Sequence, residues 1–363
     1  MQEARTKLEI KTKTKNRIKI FGCILLSHIS CLTSYSQDAH YSQFFFSPLT
    51  VNPGNTGVFN GDVRASTIYR MQWFSVTNPF KTFSVAVDAP VFKGRMRGND
   101  FFAAGLNFTN DNQSTVALKT NSYNGLFSYT KFLGGKKSHY ITVGYQLGFN
   151  MKTVALNSLK FDSQYDPNTG GYDAGFGVNE GGGAATQMFL DMATGLVWNF
   201  NSDRKFRSSL GFSLHHFTSP DVSINGKTDP LLPKYSFQWN AAYKMGTNSN
   251  AVLMPSLLFA KQGGSLLING GTGIKYLLQE RSHYTDFHGE RCMTIGIYYR
   301  YRDAAFLNLR LDYEGFAFGV AYDINISGLT TASKSVGGLE FMLQYRGMFG
   351  FNQNAKRSSQ RFL

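Results

Sequence analysis

The sequence predicts an all-β fold: a transmembrane outer-membrane β-barrel of about fourteen antiparallel strands, preceded by a cleaved signal peptide. Three observations predict it: long segments of alternating apolar and polar residues, many aromatic residues and glycines, and no apolar run of the about 20 residues that a membrane helix needs. Aromatic residues make up 15% of the 363 residues and charged residues only 17%, with 37 Gly and 9 Pro. In a membrane barrel only every second residue of a strand meets lipid, so a mildly polar average composition is compatible with membrane insertion.

The alternation is clearest between residues 141 and 151, where Ile, Val, Tyr, Leu, Phe and Met are separated by Thr, Gly, Gln, Gly and Asn. Runs 63–74, 291–302 and 316–326 alternate in the same way. Because consecutive side chains of a strand point to opposite faces, each run has one apolar and one polar face. Several runs exceed the about five or six residues of a soluble sandwich strand and reach the about 9 to 11 that cross a bilayer. Since lipid leaves no backbone group unpaired, such strands must close into a barrel.

The predicted strands cover most of the chain after residue 62, and their number is even, as in single-chain bacterial barrels. Longer connections are expected at 156–187, 217–234, 280–290 and 327–337, with long and short loops on opposite rims. The predicted strands are 63–74, 81–90, 101–111, 118–133, 140–155, 188–200, 207–216, 235–246, 251–262, 265–279, 291–302, 304–314, 316–326 and 338–347.

The first 36 residues have the pattern of an export signal. A basic stretch over residues 5–19 precedes a short apolar stretch over 20–32, and small residues follow at Ser34 and Ser36. This order predicts a signal peptide that is removed after Ser36 once the chain has passed the inner membrane, so that Gln37 begins the mature protein of the outer membrane. The alternatives are a cytosolic amphipathic helix and a lipoprotein signal.

The rest of the chain is expected to divide into three parts. Residues 37–61, rich in Asn, Pro and Gly, should form an ordered segment at the rim or in the lumen, residues 62–350 the barrel, and residues 351–363 a short tail. Removing residues 1–36 takes away seven Lys or Arg and two Glu, which lowers the net charge from +14 to +9. The basic residues are scattered rather than interleaved with aromatic residues, so nucleic acid is not an expected partner. Lipopolysaccharide phosphates or an acidic protein are better matches.

No constellation of residues predicts catalysis, a metal ion or another cofactor, so we do not expect an enzyme. His215 and His216 are adjacent in a strand and point to opposite faces, which makes a shared metal ion difficult. Asp and Asn in the loop 162–173 could bind Ca²⁺, but turn formation explains them equally well. Ser213 and His215 share a face, as a barrel lipase would need, although such a pair is far more often incidental. The polar faces also carry charges expected to line a charge-balanced lumen: Arg64, Arg70, Arg300, Arg310, Asp312 and Glu314.

The start of the mature chain carries motifs of a known family. Residues 37–44 (QDAHYSQF) are followed by 52–57 (NPGNTG), by 69–73 (YRMQW) and by 88–90 (DAP). This order resembles the PorP/SprF family of type IX secretion system membrane proteins, found in the Bacteroidetes. The resemblance extends to residues 337–340 (GGLE) in the last strand, and it therefore covers nearly the whole mature chain.

The resemblance implies a non-catalytic outer-membrane component of type IX secretion, the route that exports surface adhesins, gliding proteins and degradative enzymes. The expected partners are outer-membrane lipid and lipopolysaccharide, the periplasmic ring or lipoproteins of the machine, and the C-terminal sorting domain of a secreted substrate. The polar inner face by itself leaves a porin-like channel for small solutes as the alternative. The resemblance implies partner docking for the signature residues Gln37, Tyr41, Ser42, Gln43, Asn52, Pro53, Gly57, Tyr69, Arg70, Gln72 and Trp73.

Overall fold

A closed barrel of antiparallel strands dominates the structure, which is a computed structural model. The signal peptide predicted over residues 1–36, residue Gln37 and the tail predicted over 351–363 lie outside the residues that it describes. No helix among the described residues is long and apolar enough to cross a membrane. The structure describes residues 38–347 except 76–77, 93–95, 97–98, 114–117, 135–137, 156–163, 167–168, 173–183, 203–204, 225–227, 247–248, 280–290 and 329.

Fourteen strands form the barrel, and two short ones, β6 (Tyr165–Asp166) and β7 (Gly171–Tyr172), pair in the long connection between β5 and β8. The barrel strands are β1 (Val63–Gln72), β2 (Phe80–Val91), β3 (Phe101–Gln113), β4 (Leu118–Leu133), β5 (His139–Ala155), β8 (Ala184–Ser202), β9 (Phe206–His215), β10 (Lys234–Lys244), β11 (Ala251–Gln262), β12 (Ser265–Gln279), β13 (Arg291–Arg300), β14 (Ala304–Tyr313), β15 (Phe316–Asn325) and β16 (Val336–Gly347).

Each barrel strand pairs antiparallel with its neighbours along the chain, and β1 closes the barrel on β16 from Val63↔Gly347 to Gln72↔Gly338. Because the number of strands is even, Val63 and Gly347 lie at the same rim, which we call the terminal rim. The opposite rim, which we call the distal rim, carries the long connections 156–183 and 216–233. Three of the four predicted longer connections lie at the distal rim, whereas 280–290 joins β12 to β13 at the terminal rim, so the prediction that long and short loops separate between the rims was wrong for that connection. In bacterial barrels long loops face outward, and the two longest connections therefore indicate that the terminal rim is the periplasmic side.

The two faces of the barrel wall differ in the way the sequence predicts. Large apolar side chains on the outer face are exposed, up to 71% for Leu106 and 64% for Ile297, whereas polar side chains such as Asn107 and Thr294 are buried on the inner face. An apolar band of this extent is unfavourable in water and is covered by lipid in a membrane barrel. Other exposed members of the band are Val85, Phe127, Val143, Leu147, Leu190, Leu196, Leu309 and Leu343.

Leu106, in the middle of β3, offers a test of membrane insertion. Replacing it with Arg is expected to lower the free energy of unfolding in lipid vesicles by about 2 to 4 kcal/mol, because a charge in the apolar band loses its hydration. The control is Leu133→Arg at the last residue of β4, where a loss of about 0 to 1 kcal/mol is expected near the interface. The free energies of unfolding are measured by denaturant titration. Equal losses in the two variants would contradict a bilayer whose centre lies near Leu106 and whose interface lies near Leu133.

The observed strands confirm the predicted ones, and the differences fall at their ends. The predicted runs 63–74, 207–216, 291–302 and 304–314 extend one or two residues past the observed strands. In each case a residue within two positions after the observed strand end has a positive φ. These residues are Trp73, His216, Arg302 and Glu314. Left-handed backbone cannot continue a strand, so the strand ends although the side-chain pattern continues. Glu314 therefore lies in an exposed turn, and the prediction that it lines the lumen was wrong.

Candidate functional site: the plug inside the barrel

Residues 41–57, which we call the plug, lie inside the barrel rather than at its rim. They form a 3-10 turn (Phe44–Phe46), one turn of α-helix (Pro48–Val51) and a second 3-10 turn (Pro53–Asn55). Pro48 and Pro53 each begin a turn, where the fixed φ of proline suits a helix start and its missing N–H is not needed. The local sequence thus folds into compact turns without a partner strand.

A cluster of four charged side chains holds the plug near the distal rim. We call Arg70, Arg300, Asp323 and Glu340 the charged cluster; their side chains are each at most 3% exposed. Arg70 reaches Asp323 at 3.2 Å and Glu340 at 3.2 Å, and Arg300 reaches Asp323 at 2.7 Å. The two positive and two negative groups are buried together, as burial of charge requires, and Arg300 also pairs with the half-exposed Asp303.

The charged cluster binds the backbone of the plug directly. Glu340 accepts the backbone N–H groups of Ser42 at 2.6 Å and Gln43 at 2.9 Å. The Ser42 hydroxyl donates to Asp323 at 2.8 Å and accepts from Arg300 at 2.8 Å. Arg70 donates to the carbonyl oxygen of His40. Hydrogen bonds to charged groups are the stronger kind, so this end of the plug is firmly attached to β1, β13, β15 and β16.

Aromatic side chains fill the space beside the charged cluster. Tyr41 and Phe46 pack against Ile68, Ala317 and Met342. The neighbouring Phe45 ring lies 5.2 Å from the ring of Tyr298, which stacks in turn on Phe306 at 5.1 Å. Aromatic packing of this kind adds to the stabilisation from burial.

The middle of the plug lies against strands whose glycines make room for it. The Asn52 amide donates to the carbonyl oxygens of Leu196 at 3.3 Å and Phe212 at 3.1 Å. A Cβ atom at Gly144 would lie 2.2 Å from the carbonyl carbon of Pro53, and one at Gly195 would lie 1.9 Å from the Asn52 side-chain oxygen. Only glycine permits this close approach of the plug to β5 and β8.

An ion pair holds the plug at the terminal rim. Arg64 and Asp88 form a bidentate pair with N···O distances of 2.8 and 2.7 Å. Asp88 also accepts the backbone N–H of Gly57 at 2.7 Å, and Arg64 donates to the carbonyl oxygen of Asn55 at 3.1 Å. Gly57 has a φ of 74°, a conformation that favours glycine, and this turn directs the chain out of the lumen towards β1.

The predicted site residues divide between the plug and the wall around it. Tyr41, Ser42, Gln43, Asn52, Pro53 and Gly57 are buried in the lumen, Gln43 accepting a hydrogen bond from Asn308 at 2.6 Å. Arg70 belongs to the charged cluster, and the Gln72 side-chain amide lies beside its guanidinium; because Arg70 can only donate, the Gln72 oxygen is assigned to this contact. Tyr69 lies on the outer face, and Trp73 follows β1 with its ring 4.8 Å from Phe80.

Sequence reasoning missed the anchoring role of five wall residues: Arg64, Asp88, Arg300, Asp323 and Glu340. Arg64 and Arg300 were expected only to line a solvated lumen, and Asp88 and Glu340 appeared only as parts of motifs. A signal was present, since each charge stands at an inward-facing position of a membrane strand, where an unpaired charge is unfavourable. What the sequence did not show is that the partners come from the segment before the barrel.

The residues weighed for catalysis and metal binding have other roles in the structure. The Ser213 hydroxyl and the His215 Nε2 both lie within hydrogen-bond distance of the carbonyl oxygen of Val51, at 2.8 and 3.1 Å. His216 pairs with Asp191 at 2.8 Å. Within the described part of the chain, no group of three or more His, Cys, Asp or Glu is arranged to hold a metal ion. Of the loop residues considered for Ca²⁺, Asp162, Asn168 and Asp173 lie outside the described residues.

The fold and the site together define a membrane-spanning β-barrel whose lumen is occupied by its own N-terminal segment. The family model of type IX secretion system membrane proteins PorP/SprF matches residues 33–345. The chain therefore belongs to the PorP/SprF family, as its motifs predict, and is a membrane component of type IX secretion.

Comparison with solved structures finds similar outer-membrane barrels at low sequence identity. The Pseudomonas putida toluene transporter TodX is 9% identical at a TM-score of 0.45, with 85% of this chain and 97% of that chain covered. The Ralstonia pickettii toluene transporter TbuX is 10% identical at a TM-score of 0.44, with 83% and 94% covered. No curated protein matches the sequence.

Proposed function

We propose that this protein is a non-catalytic outer-membrane scaffold of type IX secretion that assists the export or surface attachment of secreted proteins, including gliding adhesins. It docks the periplasmic ring or lipoproteins of the machine, or the C-terminal sorting domain of a substrate. The observation that carries this proposal is the plug: it is anchored to the wall at both ends, which suits a rigid platform better than an open pore.

Rigidity matters because docking loses less entropy when the surface is already ordered. The wall positions both rims, and the distal connection between β9 and β10 is shaped by its own hydrogen bonds. The Asp221 carboxylate accepts the backbone N–H groups of Asp229 at 2.9 Å and Ser223 at 3.0 Å. These bonds lower the pKa of the Asp221 carboxyl. Their contribution to stability is therefore present at neutral pH and is lost as the pH falls through that lowered pKa.

The buried position of the signature residues changes how we expect docking to work. Because Tyr41 to Gly57 lie inside the lumen, they support the shape of the barrel, and the partner contacts fall to the rims. In a pull-down, a variant lacking residues 41–57 should capture less of each partner. The loss should arise because the rims become less ordered, since the plug itself does not contact the partners. Undiminished capture of every partner by a folded variant of this kind would remove the plug from the docking mechanism.

The cellular test is deletion of the gene. The expected result is loss of one or more type IX substrates from the cell surface, restored by the intact gene. If the deletion strain secretes and attaches every type IX substrate normally, the proposal is wrong.

The alternative, a porin-like channel for small solutes, is favoured by the polar inner face. The plug argues against it, because the plug runs from the charged cluster at the distal rim to Asp88 at the terminal rim. In planar bilayers the native protein is expected to show no steady conductance. A steady open conductance from the native protein would favour the channel over the scaffold.

A further inference from the structure

Three neighbouring strands carry polar side chains on the outer face of the barrel, at the distal edge of the apolar band. We call Lys81 on β2, Asn112 on β3 and Lys119 on β4 the interface row. Strand register places them side by side, because Lys81 pairs with Asn112 and Asn112 pairs with Lys119. Since neighbouring strands lie about 4.8 Å apart, the two lysines start from backbone positions about 10 Å apart.

Strand alternation sets the outward orientation of the interface row. The two lysines are exposed, and Asn112 is half-buried between them. Residues an even number of positions away on the same strands are exposed on the outer face: Phe83 37%, Leu106 71% and Tyr123 51%. The interface row is therefore open to the surroundings of the barrel, on the opposite side of the wall from the plug.

The described residues around the interface row leave its two positive charges without a carboxylate partner. Neither lysine forms an ion pair with another residue that the structure describes. Asp111, next to Asn112 in β3, points to the inner face, where its carboxylate accepts from the Thr82 hydroxyl at 2.6 Å. The connections 73–79 and 114–117, which border the row, contain no Asp or Glu. The row thus presents a base, an amide and a second base in that order.

A pair of amides separates the interface row from the apolar band. Asn110 on β3 and Asn121 on β4 lie one outward position closer to the bilayer centre, and the Asn110 amide donates to the Asn121 side-chain oxygen at 2.6 Å. Beyond them the outer side chains are apolar or aromatic, beginning with Phe108 and Tyr123, whose rings lie 5.0 Å apart. This order is typical of the level at which hydrocarbon meets lipid headgroups.

The length of β4 supports the same level. Lys119 and Lys131 both face outward and are twelve positions apart on this strand. Twelve strand residues tilted by about 40° span about 30 Å along the membrane normal, which is the thickness of the hydrocarbon core. Gly125, midway between the two lysines, pairs with Leu106, the most exposed residue of the apolar band. Because the distal rim faces outward, Lys119 lies at the outer leaflet and Lys131 at the inner one.

We propose that the interface row is a binding site for the phosphorylated disaccharide of lipid A, the glycolipid of the outer leaflet. A disaccharide with a phosphate at each end presents an acid, neutral sugar groups and a second acid, which matches the base, amide and base of the row. Lysine binds phosphate as a compact charge, and each base near an anionic membrane surface adds to the attraction. A glycerophospholipid offers one phosphate and would leave one lysine without a partner. The proposal does not depend on the role of the barrel in secretion.

The test titrates the full chain, in micelles of a neutral detergent, with fluorescent lipid A that carries both phosphates. Saturable binding is expected, and it should weaken as salt is raised, because salt screens exposed charges. The double variant Lys81→Gln, Lys119→Gln is expected to bind about tenfold more weakly, as the loss of two charge contacts near a membrane surface implies. Dephosphorylated lipid A is expected to bind equally weakly to the native protein and to the double variant.

The matched control is Lys131→Gln, which removes an outward lysine of the same strand at the other interface and is expected to leave binding unchanged. If heat-dependent gel mobility shows that the double variant does not fold, Lys81→Gln and Lys119→Gln are tested singly, each with an expected loss of about threefold. Four results would overturn the proposal: no binding of lipid A, an equal loss with Lys131→Gln, equal binding of phosphatidylglycerol, or equally effective competition by inorganic phosphate.

Discussion

Replacing Arg70 with Met is expected to lower the free energy of unfolding by about 3 to 5 kcal/mol, because it leaves the buried Glu340 carboxylate without its ion-pair partner and removes one of the two arginines beside Asp323. Arg70 contacts Asp323, Glu340 and the carbonyl oxygen of His40, and its side chain is 1% exposed. The loss would be measured by denaturant titration of the refolded barrel in lipid vesicles, followed by tryptophan fluorescence. The midpoint of unfolding should shift to a lower denaturant concentration. The strand content of the folded variant, without denaturant, should equal that of the native protein.

Two further variants separate charge balance from simple loss of packing. Arg302→Met changes the same residue type in an exposed turn, where Arg302 lies over the Tyr301 ring, and little change is expected. The double variant Arg70→Met, Glu340→Gln removes one charge of each sign and leaves the Arg300–Asp323 pair, so part of the lost stability should return. The free energy of unfolding of the double variant is compared with those of Arg70→Met and Glu340→Gln alone. A loss in the double variant equal to the sum of the two single losses would contradict coupling within the charged cluster.

Gly144→Ala is expected to displace the plug from the lumen while the strands stay paired. The added Cβ would meet the carbonyl carbon and oxygen of Pro53 at 2.2 Å, and backbone atoms cannot move aside as a flexible side chain can. Overpacking of this kind costs about 1 to 3 kcal/mol, and shifting the plug relieves it. Proteolysis of residues 41–57 should become faster, and conductance in planar bilayers should appear.

The matched control is Gly125→Ala on the neighbouring strand β4. A Cβ there would have Leu147 O as its nearest atom, at 3.9 Å, which is ordinary contact. Proteolysis and conductance of this variant should equal those of the native protein. Equal effects of the two substitutions would mean that the plug is not seated against Gly144.

The barrel could be predicted from the sequence because its wall separates two environments. Lipid on one side and a polar lumen on the other impose a period of two on every strand, and the runs at 118–133 and 251–262 match β4 and β11 to the residue. The strand ends were less predictable because a positive φ at a residue such as His216 leaves no mark in the side-chain pattern.

The plug could not be placed from the sequence for a different reason. Its residues follow neither helical nor strand periodicity, and its partners are distant along the chain: Ser42 and Asp323 are separated by 281 positions. The family motifs marked Ser42, Asn52 and Arg70 as special without showing that they meet in one lumen. Recognising the inward-facing charges Asp88 and Glu340 as potential anchors would have required the register of a barrel not yet known.

The contact between Glu340 and the backbone of Ser42 and Gln43 also constrains assembly. The start of the plug is bound by the last strand of the barrel, with a separation of 298 positions between Ser42 and Glu340. Contacts so remote in sequence form late, after the segments between them have been brought together. The last strand, β16, therefore has two roles in assembly: it closes the wall on β1, and through Glu340 it adds the contacts to the backbone of Ser42 and Gln43.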